Sequence, residues 1–356
     1  MAAIKLTGNS KILFNHRIDS PQATALAAAL VHDIHVRLLD LSYNRIGDEG
    51  VAALASLLEE NPRITNVLLA SNQIGDDGVA HLARALSSGR SSLTQLVLAG
   101  NPNIRDDGVQ LLAEAMRTSS TLTMLDLSHT SVGMVGLMAL YATIFECRDT
   151  ALALESLRLD APAFRRGVGG VSERCTPQLA AALAQCQNLK ELSLAQFDMD
   201  HVELRRLVDE AFAHAPGVVS LSLRSNRLSR DAGPVLADLI KHCTQLEELD
   251  LAGNLIDDHG VTALCQAMID LGPECAIWRL DLRSNDLTDL GLEAVLETIA
   301  QCPTLQYVQL WGNRFGPSAS ETLAEVLQGL AHEERAVALD VRPYLVDGVW
   351  GAARES

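Results

Sequence analysis

The frame L-x-x-L-x-L-x-x-N-x-I/L returns along this chain with its asparagine at Asn44, Asn72, Asn101, Asn226, Asn254, Asn285 and Asn313, 28 to 31 residues apart wherever two anchors are consecutive. A period of that length, carried from near the first residue to near the last, restricts the chain to a solenoid. The unit Leu246 to Leu264, LEELDLAGNLIDDHGVTAL, shows why. Leu249 and Leu251 fall on one side of a short strand and Asp250 on the other, because side chains alternate across a strand. Asn254 follows where the chain must turn, and its amide can cover turning backbone groups, so the asparagines read as structural anchors. Asp257 and Asp258 then offer oxygens and negative charge at a helix start, and Val261, Leu264 and Cys265 follow at helical spacing. Each buried leucine contributes roughly 1.5 to 3 kcal/mol, yet a single unit leaves both ends of its apolar layer wet, so stability must come from stacking.

The expected architecture is therefore α/β: one solenoid domain over 1–356, a horseshoe with about eleven parallel strands on the concave face and helices on the convex face. Residues 1–35 read as an N-terminal cap, with IKLTGN as half a unit, KILFNHRI as a second strand, and an Ala-rich helix from Ser20-Pro21. Residues 36–336 hold about ten repeats. Residues 337–356 hold a last strand, Ala338 to Val341, and an apolar cap with Pro343, Tyr344, Leu345, Val349 and Trp350. Regularity fails in the middle, where Thr130, Pro162 and Phe197 stand at anchor positions. An insertion, DAPAFRRGVGGVSERCT at 160–176, lacks helical periodicity and ends in Thr176-Pro177, a cap and first-turn pair for the next helix. It reads as a surface loop that adds little to the core, with only Phe164, Val168 and Val171 able to pack back.

A formal net charge of −17 argues against general binding of nucleic acid or an anionic membrane. No run approaches a membrane span, and MAAIKLTGNSK has no secretory h-region, so a soluble intracellular protein is expected. Cys186, Cys243 and Cys302 share one slot of the repeat, eleven residues before an anchor position, and read as reduced packing thiols at helix ends. The acidic pairs in G-D-E-G, G-D-D-G and R-D-D-G lack the ligand spacing of a calcium loop and read as helix caps. No nucleophile elbow, zinc-protease motif or phosphate loop occurs, so neither an enzyme nor a cofactor is expected. His32 and His35, one helical turn apart, lack an evident third metal ligand.

Partner binding falls to the columns of outward side chains on the strands, spaced by about 4.8 Å across repeats. Near the C-terminus these columns carry Arg224, Arg279, Arg283 and Arg342 among Asp250, Asp281 and Asp340, with Tyr307 and Trp311 beside them. Arginine, tyrosine and tryptophan dominate interface hot spots, so this half is the expected protein-partner site. Trp311→Ala with Arg283→Ala should then weaken binding while leaving the melt unchanged. The plainer reading is that these Asp and Arg pair across strands. Leu38, Leu68, Val97 and Met124, toward the N-terminus, form the competing apolar site.

The extended unit L-x-x-L-x-L-x-x-N-x-I-G-D-x-G-V-x-x-L-A-x-x-L resembles the ribonuclease-inhibitor type of leucine-rich repeat over nearly the whole chain. IKLTGN at the start, the degenerate units from Leu154 to Phe212, LWGNRF at 310–315 and DVRPYLVDGV at 340–349 resemble, more narrowly, the leucine-rich repeat-containing protein 34 family. That resemblance implies a non-enzymatic intracellular scaffold in a multi-subunit assembly of ciliated and germ-line cells, such as the axoneme, with a nucleolar, ribosome-associated role as the alternative. GTPase-activating proteins for Ran are also repeats of this type with an Arg-bearing loop, which Arg165 and Arg166 resemble, although here the loop comes in mid-solenoid.

Overall fold

The computed structural model describes residues 2–11, 13, 16–147, 153–163, 171–214, 217–332 and 337–354. Two compact units, Met1–Leu189 and Lys190–Ser356, share one plan of strand, turn and helix. The first unit holds β1 (Ala2–Lys5), β2 (Val36–Asp40), β3 (Asn66–Leu68), β4 (Gln95–Val97), β5 (Met124–Asp126) and β6 (Ser156–Arg158). These pair in parallel and in chain order. Its helices are α1 (Ser20–Leu30), α2 (Asp48–Glu60), α3 (Asp76–Ser87), α4 (Asp106–Met116), α5 (Met134–Glu146) and α6 (Val171–Leu183), each packed on the next. The second unit holds β7 (Glu191–Ser193), β8 (Ser220–Ser222), β9 (Glu248–Asp250), β10 (Arg279–Asp281), β11 (Tyr307–Gln309) and β12 (Ala338–Leu339), again parallel and in order. Its helices are α7 (His201–Leu207), α8 (Gly233–His242), α9 (Asp257–Leu271), α10 (Asp289–Gln301) and α11 (Pro317–His332).

The strand register puts the same slot of each repeat in one buried row. Leu39, Val67, Leu96, Leu125 and Leu157 align across β2 to β6, and Leu192, Leu221, Leu249, Leu280 and Val308 across β7 to β11. All ten are at most 2% exposed, so the alternation read from LDL holds in each of these strands. After the strand, the residue before each anchor position turns left-handed, with φ from 51° at Ala161 to 85° at Gly312. Gly100, Gly253 and Gly312 adopt this conformation without a Cβ penalty.

The anchor asparagines lie in this turn and tie two repeats together. Asn101 donates from Nδ2 to its own Leu98 carbonyl at 2.8 Å and to Leu69 of the previous repeat at 3.0 Å. Its Oδ1 accepts the N–H groups of Asn72 and Ile74, at 3.0 and 3.2 Å. Asn72, Asn226 and Asn313 repeat the pattern. The substitutes fill the slot differently: Thr130 donates only to Leu127 O, at 2.7 Å, and Phe197 packs there at 0% exposure. Asn285 is an exception, because Asp257 turns to φ 56° and donates to the Asn285 backbone carbonyl, leaving the buried Asn285 Oδ1 without a partner among the described residues.

Helix capping also crosses repeats. The acidic pairs stand at the start of their own helices as expected, and Asp257 Oδ1 accepts the His259 and Gly260 N–H groups of its own helix at 2.9 and 3.3 Å, but other carboxylates close the following helix. Asp48 Oδ1 accepts from Gly75 and Gly78 N–H at 2.7 and 3.0 Å, Asp76 from Arg105 and Gly108 at 2.8 and 3.0 Å, and Asp106 from Gly133 and Gly136 at 2.7 and 2.9 Å. Asp258 does the same for Thr288 and Gly291. The glycine of D-x-G follows from this contact, since a Cβ on Gly108 would stand 2.5 Å from Asp76 Oδ1. Asp76→Ala is expected to cost about 1 to 2 kcal/mol in urea unfolding, and Gly108→Ala a comparable amount. The double variant should cost less than the sum, because both changes break one contact.

Three expectations need correction. Residues 11, 13 and 16–18 hold no strand, and Ile12, Phe14 and Asn15 of the expected strand lie outside the described residues. His32 and His35 lie beyond α1, exposed and off any helix, so the helical spacing does not apply to them. The helix expected to begin at Thr176-Pro177 begins at Val171 and carries Pro177 inside it. Cys175 and Thr176 are buried at 0% and 1% exposure, so this end of the expected loop belongs to the core. Phe164, Arg165, Arg166 and Val168 lie outside the described residues.

The thiols match their reading. All seven cysteines are buried thiols outside any disulfide, and Cys243 and Cys302 are helix C-caps. Burial pushes Cys186, Cys243 and Cys265 up to about 12, which keeps them protonated and unreactive near neutral pH.

Candidate functional site

Alternation that buries Leu249 and Leu280 turns their neighbours out of the second unit, and the register sets them side by side. Ser222, Asp250, Asp281 and Gln309 form one column, and Glu191, Ser220, Glu248, Arg279 and Tyr307 the next. Beyond the strand ends stand Arg224, Ala252, Arg283 and Trp311.

Asp281 is the electrostatic centre of this face. Its side chain is 5% exposed and is held by Arg283, whose Nε lies 2.9 and 3.0 Å from the two carboxylate oxygens and whose second nitrogen completes the fork. Such paired, parallel bonds are the strong form of an ion pair. Asp281 Oδ1 also accepts the Arg283 N–H at 3.1 Å, and Asp250 Oδ1 accepts that of Ala252 at 3.0 Å, so each aspartate closes its own turn. The other oxygen of Asp250 accepts the Ser222 hydroxyl at 3.1 Å. Arg279 stacks on the Tyr307 ring, 5.1 Å from its centroid. Trp311 is 41% exposed, and Arg224 stands exposed two strands from Arg283.

The structure thus brings Arg279 to Tyr307 and Arg283 to Asp281, as cross-strand and in-turn pairs. One expected member is displaced. The chain leaves the parallel sheet after Leu339, so the last strand ends before Val341 and Arg342 lies exposed in a separate hairpin rather than beside Trp311. Asp340 at the bend accepts the Leu310 and Trp311 N–H groups. Arg283→Ala is instead expected to lower the melt, because that change strands the buried Asp281 carboxylate. Gln309 was missed by sequence reasoning. It is 9% exposed with Oε1 unpartnered among the described residues, and a lone glutamine on a strand gives no signal of that.

Burial raises the Asp250 carboxyl above its ordinary range; the Ala252 N–H opposes this, and Asp281 adds to it. A raised carboxyl pKa means that the folded state holds the proton more tightly than the unfolded chain. The resulting penalty is full above the folded-state pKa and disappears as pH falls through it. Asp250→Asn should therefore raise the melting temperature at neutral pH, and thermal melts in acid should show the advantage shrinking.

In the first unit, Leu68 and Val97 are neighbours in the outward column between Asp40 and Asp126. Leu38 and Met124 belong to the next column, separated by Asn66 and Gln95. All four apolar side chains are half-buried. The apolar contact surface here centres on the Leu68–Val97 pair.

Among the described residues, no group of three His, Cys, Asp or Glu is placed to hold a metal ion, and no helix is long and apolar enough to cross a membrane. The sequence matches the Leucine Rich repeat family at residues 32–55, 64–83, 91–113, 118–140, 242–265 and 279–296. The ribonuclease inhibitor of Sus scrofa is 28% identical over 229 residues, covering 64% of this chain and 47% of that protein. The human NACHT, LRR and PYD domains-containing protein 3 is 26% identical over 223 residues, 63% of this chain and 20% of that one. The chain thus spans about half the length of the ribonuclease inhibitor it matches. Among solved structures, that of the Rad7 and Elc1 complex in yeast shares the fold at a TM-score of 0.59 and 18% identity, covering 86% of this chain and 70% of that one. Leucine-rich repeats generally serve as scaffolds for protein partners. The chain has the leucine-rich repeat fold, and its sequence is similar to ribonuclease inhibitors at 27 to 28% identity.

Proposed function

We propose that this scaffold serves a large intracellular assembly, with the ciliary axoneme as its setting, and holds its protein partner on the sheet face of the second unit around Trp311. The placement rests on the exposure of Trp311, at 41%, beside an Arg279–Tyr307 stack and an Arg283 already fixed by Asp281. A large ring and two pre-ordered guanidinium groups bury area at low entropic cost. The names of two similar proteins support a protein ligand: one is a ribonuclease inhibitor, and the other is Rad7, in complex with Elc1. The narrower resemblance to the leucine-rich repeat-containing protein 34 family, in IKLTGN, LWGNRF and DVRPYLVDGV, supports the axonemal setting. The net charge of −17 favours a second setting, the nucleolus, where basic ribosomal proteins would be the partners.

Tagged chain expressed in ciliated cells tests both parts. Axonemal proteins should co-purify, and Trp311→Ala with Arg279→Ala should weaken the main partner by about 2 kcal/mol or more. This pair leaves the Arg283–Asp281 contact intact, so the melt should not move. Loss of binding by Leu68→Ser and Val97→Ser alone would place the site on the first unit, and nucleolar staining with ribosomal partners would replace the axonemal setting.

A further inference from the structure

Beyond β12 the chain forms β13 (Val341–Val346) and β14 (Val349–Arg354), an antiparallel hairpin that packs on α11 through both strands. Asp347 and Gly348 form its two-residue loop with φ 51° and 79°, both left-handed, which is the type I′ turn that matches strand twist. Such a loop makes Val346 and Val349 a hydrogen-bonded pair, and hydrogen-bonded pairs then alternate down the ladder. Tyr344–Gly351 and Arg342–Ala353 are the next two in the observed register. The backbone groups of Val341, Pro343 and Leu345 on β13, and of Trp350, Ala352 and Arg354 on β14, consequently point away from the partner strand.

The two outer edges are not equivalent. Pro343 sits at the centre of the β13 edge and has no N–H to offer, so that edge cannot accept a strand. The β14 edge has a donor at each outward position, and among the described residues no backbone hydrogen bond reaches it. The exposed apolar side chains of the hairpin gather at its tip: Tyr344 is 48%, Leu345 54%, Val346 58% and Val349 57% exposed. The Tyr344 ring lies across Gly351, closing the middle of that face. Charge is split along β14, with Asp347 at the tip and Arg354 at the base.

We infer that the hairpin is a self-association element, in which β14 pairs antiparallel with β14 of a second copy of this chain about a two-fold axis. A sheet with a single open edge closes when that edge meets itself, whereas pairing β14 with β13 would propagate copies without end and is blocked at Pro343. Antiparallel pairing brings the Asp347 end of one strand to the Arg354 end of the other, twice. It also converts a two-stranded ribbon, marginal by itself, into a four-stranded sheet that joins the two apolar tips.

Analytical ultracentrifugation of the full chain between about 1 and about 100 µM tests this. The expected species has twice the 38.3 kDa chain mass at the upper concentrations. Ala352→Pro removes one outward N–H without touching a bond inside the hairpin, and should weaken association about tenfold or more with the circular dichroism melt unchanged. Arg354→Gln and Asp347→Asn should each weaken it several-fold, and in the double variant the losses should not add. A chain that stays monomeric throughout overturns the inference. So does a dimer indifferent to both Ala352→Pro and the charge variants, which would lie on another surface.

Discussion

Leu251→Asp is expected to lower stability by more than about 4 kcal/mol and to abolish a cooperative melt at physiological temperature. Leu251 is fully buried between repeats, and its carbonyl is bonded by the side-chain amides of both Asn254 and Asn285, at 2.8 and 2.9 Å. A carboxylate there has no cation to pair with, and a backbone fixed from both sides prevents it from swinging to water. Asp250→Asn, one residue away on the opposite side of the strand, should be neutral or stabilising. Urea unfolding of the two variants side by side is decisive: were Asp250→Asn the more damaging, the strand register would be inverted.

Asn101→Ala comes second, at about 3 to 5 kcal/mol. The cost is more than that of one lost side-chain hydrogen bond. The buried N–H groups of Asn72 and Ile74 lose their shared acceptor, and the carbonyls of Leu69 and Leu98 lose their donor, around a side chain that is 0% exposed. Asn101→Asp tests the mechanism, since it keeps the acceptor and loses the donor. Chemical denaturation should rank it between wild type and alanine at acidic pH, where the carboxyl is neutral and can donate. A destabilisation under about 1 kcal/mol for Asn101→Ala would mean that the turn is held by its left-handed backbone alone.

The features legible in the sequence are those whose cause lies inside one repeat. Strand alternation and the turn closed by each asparagine's bond to its own strand carbonyl involve groups within a few residues, as Asn101 to Leu98 does, so their spacing reports their role. The asparagine's bonds to the previous repeat were not legible in the same way. The features that escaped join residues about a repeat apart. Asp48 looks like a cap for its own helix because the N–H groups it accepts, on Gly75 and Gly78, are 27 and 30 residues away in sequence. The early start of α6 escaped because Gly and Arg content suggested a loop while Cys175 and Thr176 pack against neighbours that local periodicity does not contain. On the candidate site, the row of Asp250, Asp281, Arg283 and Trp311 was legible from the period. The bidentate lock of Arg283 on Asp281 was not, since guanidinium reach decides it rather than register. The hairpin had a signal in Asp347-Gly348, a dipeptide that favours its turn, set between two apolar runs.

Capping across repeats also bears on how chains of this kind lengthen. Where the motif is complete, a unit carries a carboxylate that closes the next unit and a glycine shaped to receive the carboxylate of the one before, as Asp76 and Gly78 do within three residues of each other. Plug and socket therefore travel together on one short stretch of gene. A tandem duplication anywhere inside such a run inserts a module that fits both neighbours at once, with no compensating change.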